Sequence, residues 1–216
     1  MATLATQLST LAEGVKQNAP APIANAITES IAGLKTTFDK SAVIKAGTPL
    51  PSFKLPNALG KEVTSESLIA KGGPILITFY RGDWCPFCNL TLRSLQQHLD
   101  QFHAKGVTVV AISPELPNTS LSTTEKNELK FEVLSDVGNK FARQLGICWE
   151  QPESVKPVFD AFSIDLKARN GDDSFALPVP TTLLVDSKGV VRNVHTDPDY
   201  MQRLEPSTAL EWVDAL

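Results

Sequence analysis

The segment from Pro74 to Leu99, PILITFYRGDWCPFCNLTLRSLQQHL, decides the fold class. It opens with a short apolar run bounded by turn residues, which predicts a buried strand ending near Tyr80. Apolar residues then recur at helical spacing and predict a helix from Pro86 to Gly106. These residues are Leu92, Leu95, Leu99 and Phe102. Two cysteines, Cys85 and Cys88, lie at the junction of the strand and the helix.

The rest of the chain repeats this alternation of strands and helices. Residues 107–113 and 131–135 predict two more buried strands, and a helical pattern follows each of them. Residues 47–64 and 180–195 predict β-hairpins, and a closing helix begins at a predicted cap, Ser207. Strands joined by helices, with an antiparallel hairpin at the end, predict an α/β fold with a central mixed β-sheet flanked by helices.

The first forty residues carry two amphipathic helical patterns separated by prolines. We expect this pair of helices to pack on the main domain, because apolar stripes of this kind usually contribute to a core. A contact between two subunits is the alternative, so a homodimer is also an expectation. The chain therefore divides into an N-terminal helical extension, residues 1–45, and one α/β domain, residues 46–216.

Composition excludes several classes of protein. The chain has 216 residues, a net charge of −4 and 42% apolar residues, so a nucleic acid or an anionic membrane is not an expected partner. The longest apolar run is far shorter than the ~20 residues that span a bilayer, and the first residues do not resemble a secretory signal. Three cysteines are too few for a disulfide-stapled secreted fold. We therefore expect a cytoplasmic protein.

The cysteine pair is the principal candidate for chemistry. Cys85 is predicted at the N-cap of the helix and Cys88 one turn inside it, where main-chain N–H groups and the helix dipole favour a thiolate. In such places the thiol pKa falls into the range ~3.5–7.5. Cys88 shares a helix face with Leu92 and points inward, so Cys85 is expected to be the more exposed sulfur. Nearby, Arg81 would lower the thiol pKa and Asp83 would raise it.

Two interpretations of the cysteines that involve no redox chemistry remain open: a metal site and an inert buried pair. A structural metal site needs about four ligands, and the chain offers only three cysteines and three histidines, with no second close pair. We therefore predict no metal and no cofactor. An inert buried pair is the other interpretation, since free cysteine often behaves as a small apolar residue. Cys148 stands alone and is expected in the core, with a second resolving thiol as its alternative role.

Four segments in order resemble a peroxiredoxin-like protein of the alkyl hydroperoxide reductase and thiol-specific antioxidant (AhpC/TSA) family, within the thioredoxin-fold superfamily. They are LPSFKLPNALGKEVT, ITFYRGDWCPFCNLTLRSLQ, VVAISPELP through FEVLSDVGNKFARQLGI, and VPTTLLVDSKGVVR with DPDYMQRLEP. The resemblance implies a thioredoxin-like fold and a thioredoxin-dependent peroxidase acting on a hydroperoxide substrate. One cysteine would become a sulfenic acid, a second would condense with it, and a thioredoxin-like electron donor would restore both thiols.

The chain also departs from the family pattern. The family register puts Cys88 in the peroxide-attacking place, whereas the place of the family's final-strand arginine is taken by Pro180. Trp84 before the pair and Pro180 before the last hairpin resemble thioredoxins, which makes Pro180 a candidate cis-proline. We favour Cys85 as the first nucleophile, with Cys88 resolving. The weaker candidates for polarising a peroxide are Arg81, Arg203 and Thr91.

Two rival functions follow from the same residues. The first is a disulfide reductase of the thioredoxin type that ignores peroxides, and Trp84 and Pro180 favour it. The second is a non-catalytic binding module that retains the fold and has ordinary thiol pKa values. Assays of peroxide consumption and disulfide reduction, together with the thiol pKa values, separate these functions.

Overall fold

The computed structural model describes residues 2–216. The five strands that the sequence predicts for the central sheet are present, in the predicted order along the chain. Over these residues the strands are β1 Lys54–Pro56, β2 Glu62–Thr64, β3 Ile75–Phe79, β4 Thr108–Ser113, β5 Glu132–Ser135, β6 Cys148–Glu150, β7 Ala176–Pro178, β8 Thr181–Val185 and β9 Val191–Thr196. The α-helices are α1 Leu4–Asn18, α2 Ala21–Thr37, α3 Ser65–Ile69, α4 Pro86–Gln97, α5 Leu99–Ala104, α6 Pro117–Lys126, α7 Lys140–Gln144, α8 Lys156–Ala161, α9 Leu166–Asn170 and α10 Pro206–Asp214.

The central sheet has the strand order β5-β4-β3-β8-β9. Strand β3 runs parallel to β4 and antiparallel to β8, and β4 runs parallel to β5. All five residues of β3 are buried, as expected for a strand with neighbours on both edges and helices on both faces. The predicted α/β fold with a central mixed sheet is confirmed.

Alternate residues of β3 point into two cores on opposite faces of the sheet. Leu76 lies in the core that contains the apolar face of α4 and both Cys85 and Cys88. Ile75, Ile77 and Phe79 lie in the other core, which includes Phe141 of α7. The strand period of two residues therefore places the dithiol on the α4 side of the sheet.

Two helix boundaries differ from the prediction. The helix predicted from Pro86 to Gly106 is divided at His98, whose main-chain N–H bonds to the carbonyl of Leu95 at 3.1 Å, a tighter i→i−3 bond that interrupts the α-helical ladder. The closing helix begins at Pro206 and not after Ser207, because proline suits the first helical position. Glu205 occupies its N-cap position.

Residues 147–178 contain structure that the sequence did not predict. Strands β6 and β7 pair as a small antiparallel sheet, and between them lie a 3₁₀ turn, Glu153–Val155, and the short helices α8 and α9. We call residues 151–175 the helical insertion. Its buried residues Val155, Phe159 and Leu166 form a third apolar cluster, against which Trp84 packs.

The first helix packs on the α/β domain. Leu4 and Leu8 of α1 are buried in the same core as α4. Glu205 holds the start of α1, since its carboxylate accepts the main-chain N–H groups of Leu4 at 3.2 Å and Ala5 at 2.6 Å. The division into units at residue 45 stays a prediction. In the part of the chain described, no helix is long and apolar enough to cross a membrane.

Candidate active site

The two cysteines lie where the sequence predicted, at the start of the helix that follows β3. Tyr80 extends that strand by donating its N–H to the carbonyl of Ile112 at 3.0 Å. Cys85 then takes the N-cap position with extended backbone, and Pro86 is the first residue of α4. Cys88 lies in the first turn, with its side chain in the core.

The loop between β3 and α4 depends on Gly82. Its φ of +152° lies in the region that favours glycine. A Cβ added there would lie 2.3 Å from Nε1 of Trp84 and 2.9 Å from Oε1 of Glu115. Only a residue without a side chain therefore lets the loop close tightly enough to place Cys85 at the helix start.

The sulfurs of the dithiol are close together and both are buried. Sγ of Cys88 lies 2.8 Å from Sγ of Cys85, and both cysteines are free. Cys85 is 1% exposed and Cys88 is 0% exposed, so the prediction of an exposed Cys85 is wrong. The reason is tertiary, because residues of the N-terminal helices, the helical insertion and the tail enclose the space in front of Cys85.

The electrostatic surroundings favour a thiolate at Cys88. Burial opposes charge there, but the hydrogen bond with Cys85 and the positive charges of Arg203 and Arg81 lower the pKa of Cys88 to about 5. The guanidinium of Arg203 lies 3.6 Å from Sγ of Cys88. Burial, together with the hydrogen bond to Cys88 and the charge of that thiolate, raises the pKa of Cys85 well above its ordinary value.

Arg81 is held between two aromatic rings beside the dithiol. Its guanidinium carbon lies 4.8 Å from the ring centre of Trp84 and 4.0 Å from that of Tyr200. Trp84 in turn makes an edge-on contact with Phe159 of the helical insertion, at 5.2 Å between ring centres. These cation–π and aromatic contacts fix the cation close to the sulfurs. The structure thus brings Arg81, Trp84 and Arg203 together at the site.

Three other sequence candidates have different surroundings. Thr91 donates its hydroxyl to the carbonyl of Phe87 at 3.0 Å within α4. The candidate cis-proline, Pro180, is not one, because no peptide bond in the described residues is cis. Val179 donates its N–H to Ile147 at 2.7 Å, so the chain stays extended from β7 into β8 and a trans bond suits it. Cys148 packs against the core on the opposite face of the sheet.

A buried charged cluster below the loop was not predicted. Glu115, just after β4, is 0% exposed and accepts the N–H of Asp83 at 3.0 Å. Arg169 of the helical insertion forms an ion pair with Asp83, and its guanidinium lies 3.5 Å from Oε1 of Glu115. Burial and the charge of Asp83 raise the pKa of Glu115 to about 8. An acidic residue at the carboxyl end of the strand next to β3 was the available signal for this cluster.

A cavity of about 490 Å³ lies in front of the dithiol, and Cys85 is in its lining. Its walls come from α1, α2, the loop between β3 and α4, the helical insertion and the tail after β9. Within residues 2–216, no group of three or more His, Cys, Asp or Glu side chains is placed to hold a metal ion. The arrangement therefore offers an enclosed dithiol with two arginines and an adjoining apolar space.

A model of the AhpC/TSA family matches residues 46–194. The chain belongs to this family. It is 29% identical over 117 residues to peroxiredoxin Bcp of Escherichia coli, which covers 54% of this chain and 73% of that protein. It is 28% identical over 156 residues to the chloroplastic peroxiredoxin Q of Populus jackii, covering 72% of this chain and 62% of that protein.

A solved structure supports the fold assignment. The peroxidoxin BcpB of Mycobacterium tuberculosis superposes with a TM-score of 0.62 and 20% identity, covering 80% of this chain and 98% of that one. The predicted thioredoxin-like fold and the resemblance to peroxiredoxin-like proteins of this family are thus confirmed. The matched region includes the dithiol but excludes α1, α2 and the tail.

Proposed function

We propose that Cys85 and Cys88 carry out a thiol-dependent peroxidase cycle, alternating between two thiols and a disulfide. The family and the named relatives support a peroxiredoxin-type oxidoreductase. The observation that carries the assignment to these residues is the 2.8 Å separation of the two sulfurs, with Arg203 3.6 Å from Cys88. A thiolate is the nucleophile in such chemistry, and these contacts favour one.

Cys88 is the attacking sulfur in this proposal. Its thiolate attacks one peroxide oxygen and the O–O bond breaks. The sulfur keeps that oxygen as a sulfenic acid, and the other oxygen leaves with the bonding electrons and takes up a proton. The thiol of Cys85 then condenses with the sulfenic acid, forming the S–S bond and releasing water. A dithiol donor supplies two electrons and two protons to restore the thiols.

This order reverses the one favoured from the sequence. The case for Cys85 as first nucleophile rested on its exposure and its N-cap position. Cys85 is buried, and its side chain makes no capping hydrogen bond to α4. The two arginines supply the cations that the substitution at Pro180 removes from the family's usual place. Arg203 and Arg81 would stabilise both the thiolate and the negative charge that develops on the leaving oxygen.

The proposal includes two finer assignments: the donor is a thioredoxin-like protein and the location is the cytoplasm. A homodimer stays the alternative that the sequence offered for the N-terminal helices, and the molar mass in solution decides it. The three free cysteines support a reducing compartment. The chloroplastic relative is the reason to determine the location directly, by fractionation of the cells that express the protein.

Peroxide consumption coupled to thioredoxin, its reductase and NADPH tests the cycle. The wild type and the control Cys148→Ser are expected to consume peroxide, whereas Cys85→Ser/Cys88→Ser is expected to lose at least ~99% of the rate, since no thiolate remains at the site. Intact mass after one equivalent of peroxide should show the loss of two hydrogens in the wild type and the gain of one oxygen in Cys85→Ser. Equal peroxide consumption by wild type and double variant would refute the proposal.

A disulfide reductase is the second candidate, because Trp84 directly precedes a dithiol with Cys-x-x-Cys spacing. An insulin reduction assay beside the peroxide assay separates the two functions. Rapid insulin reduction without peroxide turnover would favour the reductase. Ordinary thiol pKa values and no reversible disulfide would instead favour a binding module.

A further inference from the structure

The tail, residues 197–205, joins β9 to α10 and contains no helix or strand. It contributes to both cations beside the dithiol. The ring of Tyr200 lies 4.0 Å from the guanidinium carbon of Arg81, and the guanidinium of Arg203 lies 3.6 Å from Sγ of Cys88. The charges around the two sulfurs therefore depend on where an irregular segment of the chain lies.

The side chain of Arg203 has few contacts of its own to hold it. Its guanidinium donates to the main-chain carbonyl of the adjacent Gln202 at 3.0 Å, and in the part of the chain described it forms no ion pair. The titratable groups that sense its charge are Cys88, Cys85 and His195. No carboxylate directs this guanidinium to the sulfur, so the main chain of the tail must place it there.

Glu205, two residues further along, fixes that main chain. One of its carboxylate oxygens accepts the N–H of Leu4 at 3.2 Å and the other accepts that of Ala5 at 2.6 Å. These N–H groups belong to the first turn of α1, where donors lack partners within the helix and the dipole favours an anion. The helix is itself anchored, because Leu4 and Leu8 are buried in the core that contains the dithiol. Both α1 and the tail lie outside the family match at 46–194.

We propose that Glu205 is a positioning residue: by binding the start of α1 it holds the tail so that Arg203 reaches the sulfur of Cys88. This inference rests on the proposed role of Cys88 as the attacking sulfur. Glu205 acts through Arg203 and not through its own charge. The two routes have opposite signs, because removing an anion near a thiolate lowers the thiol pKa, whereas removing a cation from its side raises it.

Titration of the thiolate absorbance in a Cys148→Ser background tests the sign. Glu205→Gln keeps the size of the side chain but loses its charge and one of the two acceptors. It should raise the Cys88 midpoint by about half a unit or more, and by less than the one to two units expected for Arg203→Gln. The control Glu211→Gln removes an exposed acid from α10 and should leave the midpoint unchanged. An unchanged or lowered midpoint in Glu205→Gln would overturn the proposal.

A double variant tests whether Glu205 acts through the arginine. In an Arg203→Gln background, Glu205→Gln should add less than ~0.2 unit, because two residues that act in series are not additive. Lys35→Gln breaks the other contact of the tail, an ion pair between α2 and Asp199. Since Lys35 is half exposed there, its substitution should shift the midpoint by less than Glu205→Gln does. Additive shifts in the double variant, or an equal shift from Lys35→Gln, would contradict the assignment to Glu205.

Single-turnover kinetics separate positioning from a general loss of structure. In Glu205→Gln the rate with hydrogen peroxide should fall about twofold near pH 5 and equal that of the wild type above about pH 8, where Cys88 is a thiolate in both proteins. A rate lowered equally at every pH would show a structural role only and would count against the proposal. A raised midpoint in Glu205→Gln without peroxide consumption by the wild type would disprove the peroxidase proposal alone. Peroxide consumption by the wild type with an unchanged midpoint in Glu205→Gln would disprove the positioning role alone.

Discussion

Cys88 and Cys148 are two thiols whose pKa values are shifted in opposite directions, although burial acts to raise both. Cys148 is the more exposed of the two, yet burial raises its pKa to about 11. Cys88 is 0% exposed, and its pKa is lowered to about 5 because Cys85, Arg203 and Arg81 stabilise the anion more than burial disfavours it. The comparison teaches that the partners of a sulfur, and not its contact with water, decide whether it is a thiolate.

The largest expected effect is the difference in titration between these two sulfurs. Thiolate absorbance near ~240 nm should appear around pH 5 in Cys148→Ser, which keeps the dithiol. In Cys85→Ser/Cys88→Ser, where only Cys148 remains, it should appear only above pH 10, because the pKa of that thiol is about 11. Ionisation of the double variant below pH 8, or no thiolate in Cys148→Ser below pH 7, would break the comparison.

Removing the charge of Arg203, the cation beside Cys88, should shift the pKa of that thiol by less than the difference between the two sulfurs. Arg203→Gln is expected to raise the Cys88 pKa by about one to two units, since an opposite charge within a few ångströms typically lowers a pKa by this amount. The thiolate fraction and the rate of the first peroxide turnover should then fall roughly tenfold near pH 5.5 and recover above about pH 8. Stopped-flow kinetics of a single turnover measures this.

Two matched variants test whether the effect of Arg203→Gln comes from the loss of a positive charge near Cys88. Arg203→Lys keeps the charge and should restore most of the low-pH rate. Arg143→Gln removes the cation whose charge lowers the pKa of Cys148, and it should leave the Cys88 titration unchanged. If Arg203→Gln and Arg143→Gln shifted the first-turnover profile equally, the local charge at Cys88 would not explain its pKa.

The sequence predicted the part of the fold that has strong periodicity. The apolar run of β3 and the helical stripe of α4 each have the spacing of one element, so their order placed Cys85 and Cys88 correctly. The helices of the insertion, Lys156–Ala161 and Leu166–Asn170, are too short to show a helical period and were missed. The residues that cover Cys85 were therefore not apparent in the sequence, and an exposed Cys85 was expected.

The electrostatics of the site depended on contacts between distant segments. Arg203 was only a weak candidate, because nothing local relates it to Cys88, 115 residues earlier. Its place follows from the tail, which is tied to α1 through Glu205 and to α2 through the ion pair of Lys35 with Asp199 at 2.8 Å. Packing of the N-terminal helices therefore helps to set the chemistry at the dithiol.

Glu115 gives the smallest expected effect on the thiolate, although it is a buried acid in the same core region. Its pKa of about 8 keeps it neutral where Cys88 titrates, so Glu115→Gln should move the Cys88 midpoint by less than ~0.3 unit. Stability should respond instead. An acid whose pKa is raised on folding stabilises the fold fully below its ordinary pKa, and that contribution is lost as pH rises toward 8.

The melting temperature between pH 4.5 and 8.5 tests this account of Glu115. The wild type should lose more stability across that range than Glu115→Gln, whose amide oxygen can still accept the N–H of Asp83. The exposed control Glu125→Gln should follow the wild-type curve. A Glu115→Gln curve parallel to the wild type, or a Cys88 midpoint displaced by a full unit, would mean that Glu115 is ionised beside the thiolate. The partners of Cys88 would then include an anion that its two arginines must also overcome.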